Sequence, residues 1–126
     1  MTMALCFNCG HTKFGAISPC AECHVASTGD TSLDIAFSDH HLSTTTLGGF
    51  GEVIRAIQRV CDDDLRFWSF IRFVSVNHSD ILRVNLPPEH LAELDAVLAR
   101  ANPPPVVVEE SHEARHMRET SEGQDA

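Results

Sequence analysis

The clearest periodicity in the chain follows Ser43-Thr-Thr-Thr46, where Leu47, Phe50, Ile54, Ile57 and Cys61 fall three or four residues apart. That is the spacing of one helical face, and it predicts a helix from about Gly49 to Cys61 with the hydroxyl residues as N-cap candidates. Upstream, Leu33 to Phe37 alternates in polarity as a short strand does. Asp62-Asp-Asp64 interrupts the pattern, and Leu65 to Val76 is dense in aromatic and β-branched residues, which reads as strand. Asn77 to Asp80 makes a turn, and Ile81 to Leu86 alternates with Leu82, Val84 and Leu86 on one side, so a β-hairpin is the simplest account. A competing reading has the three aspartates cap a helix through Phe70, because short apolar runs are ambiguous by period. Pro87-Pro88 then opens a helix with Leu91, Leu94, Val97 and Leu98 on one face, ending near Ala101.

The composition changes from Asn102 onward. Pro103-Pro-Pro105 is a stiff spacer, Val106-Val-Val108 can add an edge strand, and Ser111 to Ala126 has no apolar stripe and reads as disordered or as a frayed helix. The 126 residues divide into 1–25, 26–101 as a small α+β domain, and 102–126 as a Pro-rich acidic tail. The net charge is −9. From residue 102 the chain carries six acidic residues and two arginines, −4 of that total, which leaves −5 for the remainder.

Residues 1–25 hold four of the five cysteines, as Cys6-x2-Cys9, a ten-residue gap, and Cys20-x2-Cys23. Each pair can present two thiolates on one tight turn, and a hairpin between them closes a four-sulfur cage that stabilises a segment too small to bury a core. Gly10 can take the positive φ that turns backbone N–H groups toward the sulfurs. Two disulfides are the alternative, disfavoured in a reducing compartment; a thioredoxin-type redox pair needs a strand before the motif and a helix opening at it, and neither is suggested here. Cys61, on the apolar stripe, reads as a core residue.

The stretch from Cys6-Phe-Asn-Cys-Gly-His11 to Pro19-Cys-Ala-Glu-Cys23 resembles a zinc ribbon, and is also similar to the rubredoxin-like domain of rubrerythrins. The resemblance covers about a fifth of the chain and implies a structural metal held by Cys6, Cys9, Cys20 and Cys23, without implying a biological role. Two departures stand out: His24 follows the second pair where glycine is usual, and the chain has no tyrosine. Because a rubredoxin-type iron centre packs against aromatic rings, these departures favour Zn2+ over iron. His11 and His24 read as neighbours of a complete ligand set or as solvent-facing.

Several other motifs invite chemistry. His112-Glu-Ala-Arg-His116 matches the His-Glu-x-x-His pattern of zinc hydrolases, but its surroundings are charged instead of apolar. Asp39-His40-His41 repeats the letters that name the DHH phosphoesterases on a chain too short for that scaffold, and reads as a turn with Ser38 or Asp39 capping. Gly48-Gly-Phe-Gly51 lacks the lysine of a phosphate loop and reads as a flexible helix start. Arg55, Arg59, Arg66 and Arg72 read as a solvated face balanced by the aspartates.

The first 25 residues carry Lys13 as their single cation, and the chain has only nine Lys and Arg, so backbone-phosphate binding has a weak electrostatic basis. The sequence lacks a long apolar span and a basic, apolar start, which points to a cytoplasmic protein with no membrane association. Phe67, Trp68, Phe70 and Phe73 exceed what one face of a thin sheet buries and leave an apolar patch. The sequence thus reads as a zinc-stabilised, non-catalytic protein-protein interaction module, an adaptor or an immunity-type binder. A nucleic-acid-binding, transcription-associated ribbon is the alternative, and a metal-dependent hydrolase using His112, Glu113 and His116 a weaker one.

Overall fold

The computed structural model describes residues 3–15, 19–25, 31–61 and 65–110. The fold is α+β: a two-stranded antiparallel hairpin, β1 (Met3–Leu5) and β2 (Thr12–Phe14), precedes four helices, α1 (Thr31–Ala36), α2 (Thr44–Gln58), α3 (Leu65–Asn77) and α4 (Pro88–Ala101). The expected apolar stripe drives α2, where Leu47, Phe50, Ile54 and Ile57 are buried. Ser43 is its N-cap, its hydroxyl accepting from the Thr46 N–H at 3.1 Å, so the helix begins one turn before the periodicity suggested. Helix α4 starts at Pro88 and ends on Asn102 in the left-handed conformation, close to the bounds read from sequence.

Two strand expectations are corrected. Leu33 to Phe37 lies mostly within α1, and Leu65 to Val76 is helical throughout, so the central β-hairpin is absent. Residues 67, 70, 71 and 74 recur at i, i+3, i+4 and i+7, and this stripe packs on α2 and α4. Thirteen residues also exceed the usual strand length. Tertiary burial of the stripe outweighs the β-preference of its aromatic and branched residues. Residues 81–86 do alternate: Leu82, Val84 and Leu86 are half-buried while Arg83 and Asn85 are exposed. They cover the core as an extended segment, with the Val84 N–H donating to Ser75 Oγ at 3.2 Å instead of to a strand.

The free edge of β1 is taken by residues after α1. The Leu5 N–H donates to the Phe37 carbonyl at 2.9 Å and the Asp39 N–H to the Met3 carbonyl at 2.8 Å. At the other end, Pro103 to Glu110, assigned by sequence to the start of the tail, returns along the N-terminus of α2. Thr46 Oγ1 donates to the Val107 carbonyl and accepts from the Glu109 N–H, Leu42 bridges Glu110, and Val106 and Val108 pack on the core. Phe37, Phe50 and Phe70 form the core centre, fully buried with centroids 5.4 to 5.9 Å apart.

Candidate metal centre

Both Cys-x2-Cys pairs fold into the same turn. In the first, the Cys6 N–H donates to the His11 carbonyl and the Gly10 N–H to the Cys6 carbonyl, both at 2.9 Å; in the second, the Cys20 N–H reaches the Val25 carbonyl at 3.1 Å and the His24 N–H the Cys20 carbonyl at 2.8 Å. The residue after each pair has positive φ, 82° at Gly10 and 63° at His24. Glycine adopts this backbone freely, whereas His24 adopts it against its Cβ.

The turns bring the four cysteines together. Cys6 Sγ is 3.6 Å from Cys23 Sγ, Cys9 Sγ is 3.7 Å from Cys20 Sγ, and all four sulfurs lie within 4.8 Å of one another. These separations are far longer than the roughly 2.05 Å of a disulfide, and the cysteines are free thiols. A metal with bonds of about 2.3 Å to a sulfur tetrahedron spaces its ligands about 3.8 Å apart, so the arrangement fits a thiophilic metal ion. Cys6 and Cys20 are buried and Cys9 and Cys23 half-buried. No other group of three or more Cys, His, Asp or Glu residues converges in this way among the described residues.

Burial and local hydrogen bonds act in opposite directions on the thiols of the cluster. Burial raises the Cys6 and Cys9 thiols above their ordinary range, although backbone N–H groups of Asn8, Cys9 and His11 point at these sulfurs. Burial also opposes the Cys23 thiolate, but the Val25 N–H, the Asn8 side chain and the neighbouring thiols together outweigh it and lower Cys23 to about 7. His11 Nδ1 lies 3.3 Å from Cys9 Sγ at the exposed side of the site, while His24 is exposed and outside the ligand set.

The first turn is seated on the helices. A Cβ on Gly51 of α2 would meet the Gly10 carbonyl oxygen at 2.1 Å, so Gly51 admits backbone-to-backbone contact and is not merely a flexible start. Gln58 Nε2 donates to the Asn8 carbonyl at 2.6 Å, Arg55 Nη2 to the Gly10 carbonyl at 3.4 Å, and Arg66 Nη2 to Asn8 Oδ1 at 3.3 Å. Phe7, between the first two cysteines, packs on Phe37, Phe67 and Phe70 at 5.4 to 5.9 Å. Sequence reasoning missed these supports; their one local signal was a glycine inside a helical pattern, which costs helix stability and so points to a packing reason.

The expected basic face is divided among other tasks. Arg55 also pairs with Glu52, Arg72 binds Asp95 at 3.0 Å, and Arg59 is exposed. Asp39, His40 and His41 lie between α1 and α2; Ser38 Oγ accepts from the His40 N–H at 3.3 Å as in a turn, both histidines are exposed, and none of the three joins the sulfurs. His112, Glu113 and His116 fall outside the described residues. No helix among the described residues is long and apolar enough to cross a membrane. No protein-family model, curated protein or solved structure matches the chain.

Proposed function

We propose that this is a small, non-catalytic module, stapled by one Zn2+ on Cys6, Cys9, Cys20 and Cys23, that presents a surface to a protein partner. The observation that carries the reading is the closed four-sulfur cluster seated on the helical core. Four thiolates complete a tetrahedral shell and leave no position for a substrate, so such a metal acts structurally. Zinc is favoured over iron because the chain has no tyrosine, Phe7 packs against the hydrophobic core and Phe14 is 64% exposed. Arg55, Arg66 and Arg72 bind protein groups, which argues against a phosphate-binding face.

Elemental analysis of the purified protein tests the metal assignment: one zinc per chain is expected, whereas iron would replace the zinc assignment and two metals per chain would contradict a single site. Native mass spectrometry of the protein isolated from its source tests the partner. A stable protein complex is expected, and a free monomer that retards nucleic acid in a low-salt gel shift would overturn the reading.

A further inference from the structure

The sulfur cluster is arranged for a second chemistry besides metal binding. Two sulfur pairs, Cys6 with Cys23 at 3.6 Å and Cys9 with Cys20 at 3.7 Å, lie in direct contact, and each joins one Cys-x2-Cys turn to the other. In each pair one member is buried, Cys6 or Cys20, and the other half-buried, Cys23 or Cys9. An oxidant can therefore reach one sulfur of each pair while its buried neighbour has to close by only about 1.6 Å to reach a bond of roughly 2.05 Å.

We propose that a hydroperoxide converts the cluster into two disulfides across the turns, Cys6–Cys23 and Cys9–Cys20, and that this step expels the bound metal. The expulsion rests on the four-thiolate reading above; the pairing rests on the sulfur positions alone. In each pair the half-buried thiolate attacks a peroxide oxygen, the O–O bond breaks, and the departing hydroxide takes a proton and leaves as water, which gives a sulfenic acid. The buried thiolate then attacks that sulfur, so the S–S bond forms, the S–O bond breaks and hydroxide again leaves as water on protonation. Each disulfide consumes one peroxide, two thiolates and two protons and yields two waters, with sulfur oxidised and oxygen reduced. The thiolate is the metal ligand, so the two disulfides together remove the ligand set. They also replace the metal as a staple: they span 17 and 11 positions, restrict the unfolded chain more than bonds within a Cys-x2-Cys pair, and keep the second turn attached to the one seated on Gly51. Cys61 lies outside the cluster and stays a thiol.

Lys13 makes the pairing readable. Trypsin cuts between the two Cys-x2-Cys pairs at Lys13 and next at Arg55, so peptides 1–13 and 14–55 carry one pair each. The test treats the full-length, zinc-loaded protein with hydrogen peroxide, follows released zinc with a chromogenic chelator, then alkylates, unfolds and digests the protein without reduction for mass spectrometry. Expected are about one zinc released for every two peroxides consumed, peptide 1–13 joined to 14–55, alkylation at Cys61 alone, and zinc binding restored by dithiothreitol. Further cleavage after Phe7 and Glu22 separates the four cysteines and should assign Cys6 to Cys23 and Cys9 to Cys20. Peptides 1–13 and 14–55 recovered apart, each with an internal disulfide, would overturn the pairing, as would links from Cys6 to Cys20 and Cys9 to Cys23. Sulfinic or sulfonic acids, disulfide-linked dimers or unreacted thiols would overturn the proposal as a whole, and both cross-links formed with zinc still bound would overturn the expulsion. A protein that binds no zinc yet forms both cross-links supports the pairing and overturns the metal reading.

Discussion

Alanine at Gly51 and at Gly48 should have opposite effects, although both sit in α2. In an ordinary helix interior, glycine to alanine stabilises by about 0.5–1 kcal/mol. At Gly48 an added Cβ meets nothing within 4 Å, so Gly48→Ala should realise that gain. At Gly51 the same Cβ lies 2.1 Å from the Gly10 carbonyl oxygen and 3.1 Å from its carbon. Relief requires the cysteine turn to move away by about 1 Å or more, to ordinary contact distance. That displacement weakens the Gln58–Asn8, Arg55–Gly10 and Arg66–Asn8 hydrogen bonds, each worth about 0.5–1.5 kcal/mol net, and loosens Phe7. Losses of about 2–4 kcal/mol against the helical gain leave Gly51→Ala destabilised by about 1–3 kcal/mol. Urea unfolding with metal in excess, followed by far-ultraviolet circular dichroism, measures both variants. A Gly51→Ala protein as stable as Gly48→Ala would show that the turn is not seated on α2 as described.

His24→Gly should stabilise the metal-loaded protein by about 0.5–1 kcal/mol, the left-handed strain at φ 63° less the added unfolded-state freedom of glycine; a lower melting temperature would mean that the imidazole supports the site. Metal affinity should fall as pH falls, because binding displaces protons from thiols that burial holds protonated at Cys6 and Cys9, and below about 7 from Cys23 as well. Chelator competition between about pH 6 and 8 reads that slope, which should steepen on the acid side; a flat profile would exclude thiolate ligation. Phe7→Ala should cost about 2–4 kcal/mol in thermal or urea unfolding while leaving one metal per chain, and a loss below about 1 kcal/mol would remove Phe7 from the core.

The cysteine cluster and two of the helices were legible because their signals are local. A Cys-x2-Cys pair fixes its turn by covalent spacing, and the stripes of α2 and α4 coincide with flanking Ser43 and Pro88. Helix α3 was misread because its residue types favour strand while its spacing favours helix, and only packing against α2 and α4 decides between them. The alternation at residues 81–86 was real, but alternation specifies an extended chain, not the presence of a partner strand. Gln58 and Arg66 were illegible as supports of the site because their partner, Asn8, is 50 or more residues away, and Gly51 showed only as a glycine within a helical pattern. Such long-range contacts leave no periodic trace.

The first turns of α3 connect the cysteine cluster to an open apolar groove. On one side Arg66 reaches Asn8, whose side chain supports the Cys23 sulfur, and Phe67 and Phe70 hold Phe7. On the other side Leu65 and Trp68 line the groove, with Trp68 stacked edge-on against Phe67 at 5.2 Å. A hairpin of three-residue strands cannot persist unaided, so losing a metal held by the four cysteines should free Phe7 from the turn that positions it and remove a wall of the packing around Phe67. Trp68 should respond although it touches no cysteine. Titrating a chelator into the metal-loaded protein should shift Trp68 emission to the red in step with metal release, and excess zinc should restore it. Complete metal release with unchanged Trp68 emission would mean that the cysteine hairpin and the groove are energetically independent, and that the metal stabilises the hairpin alone.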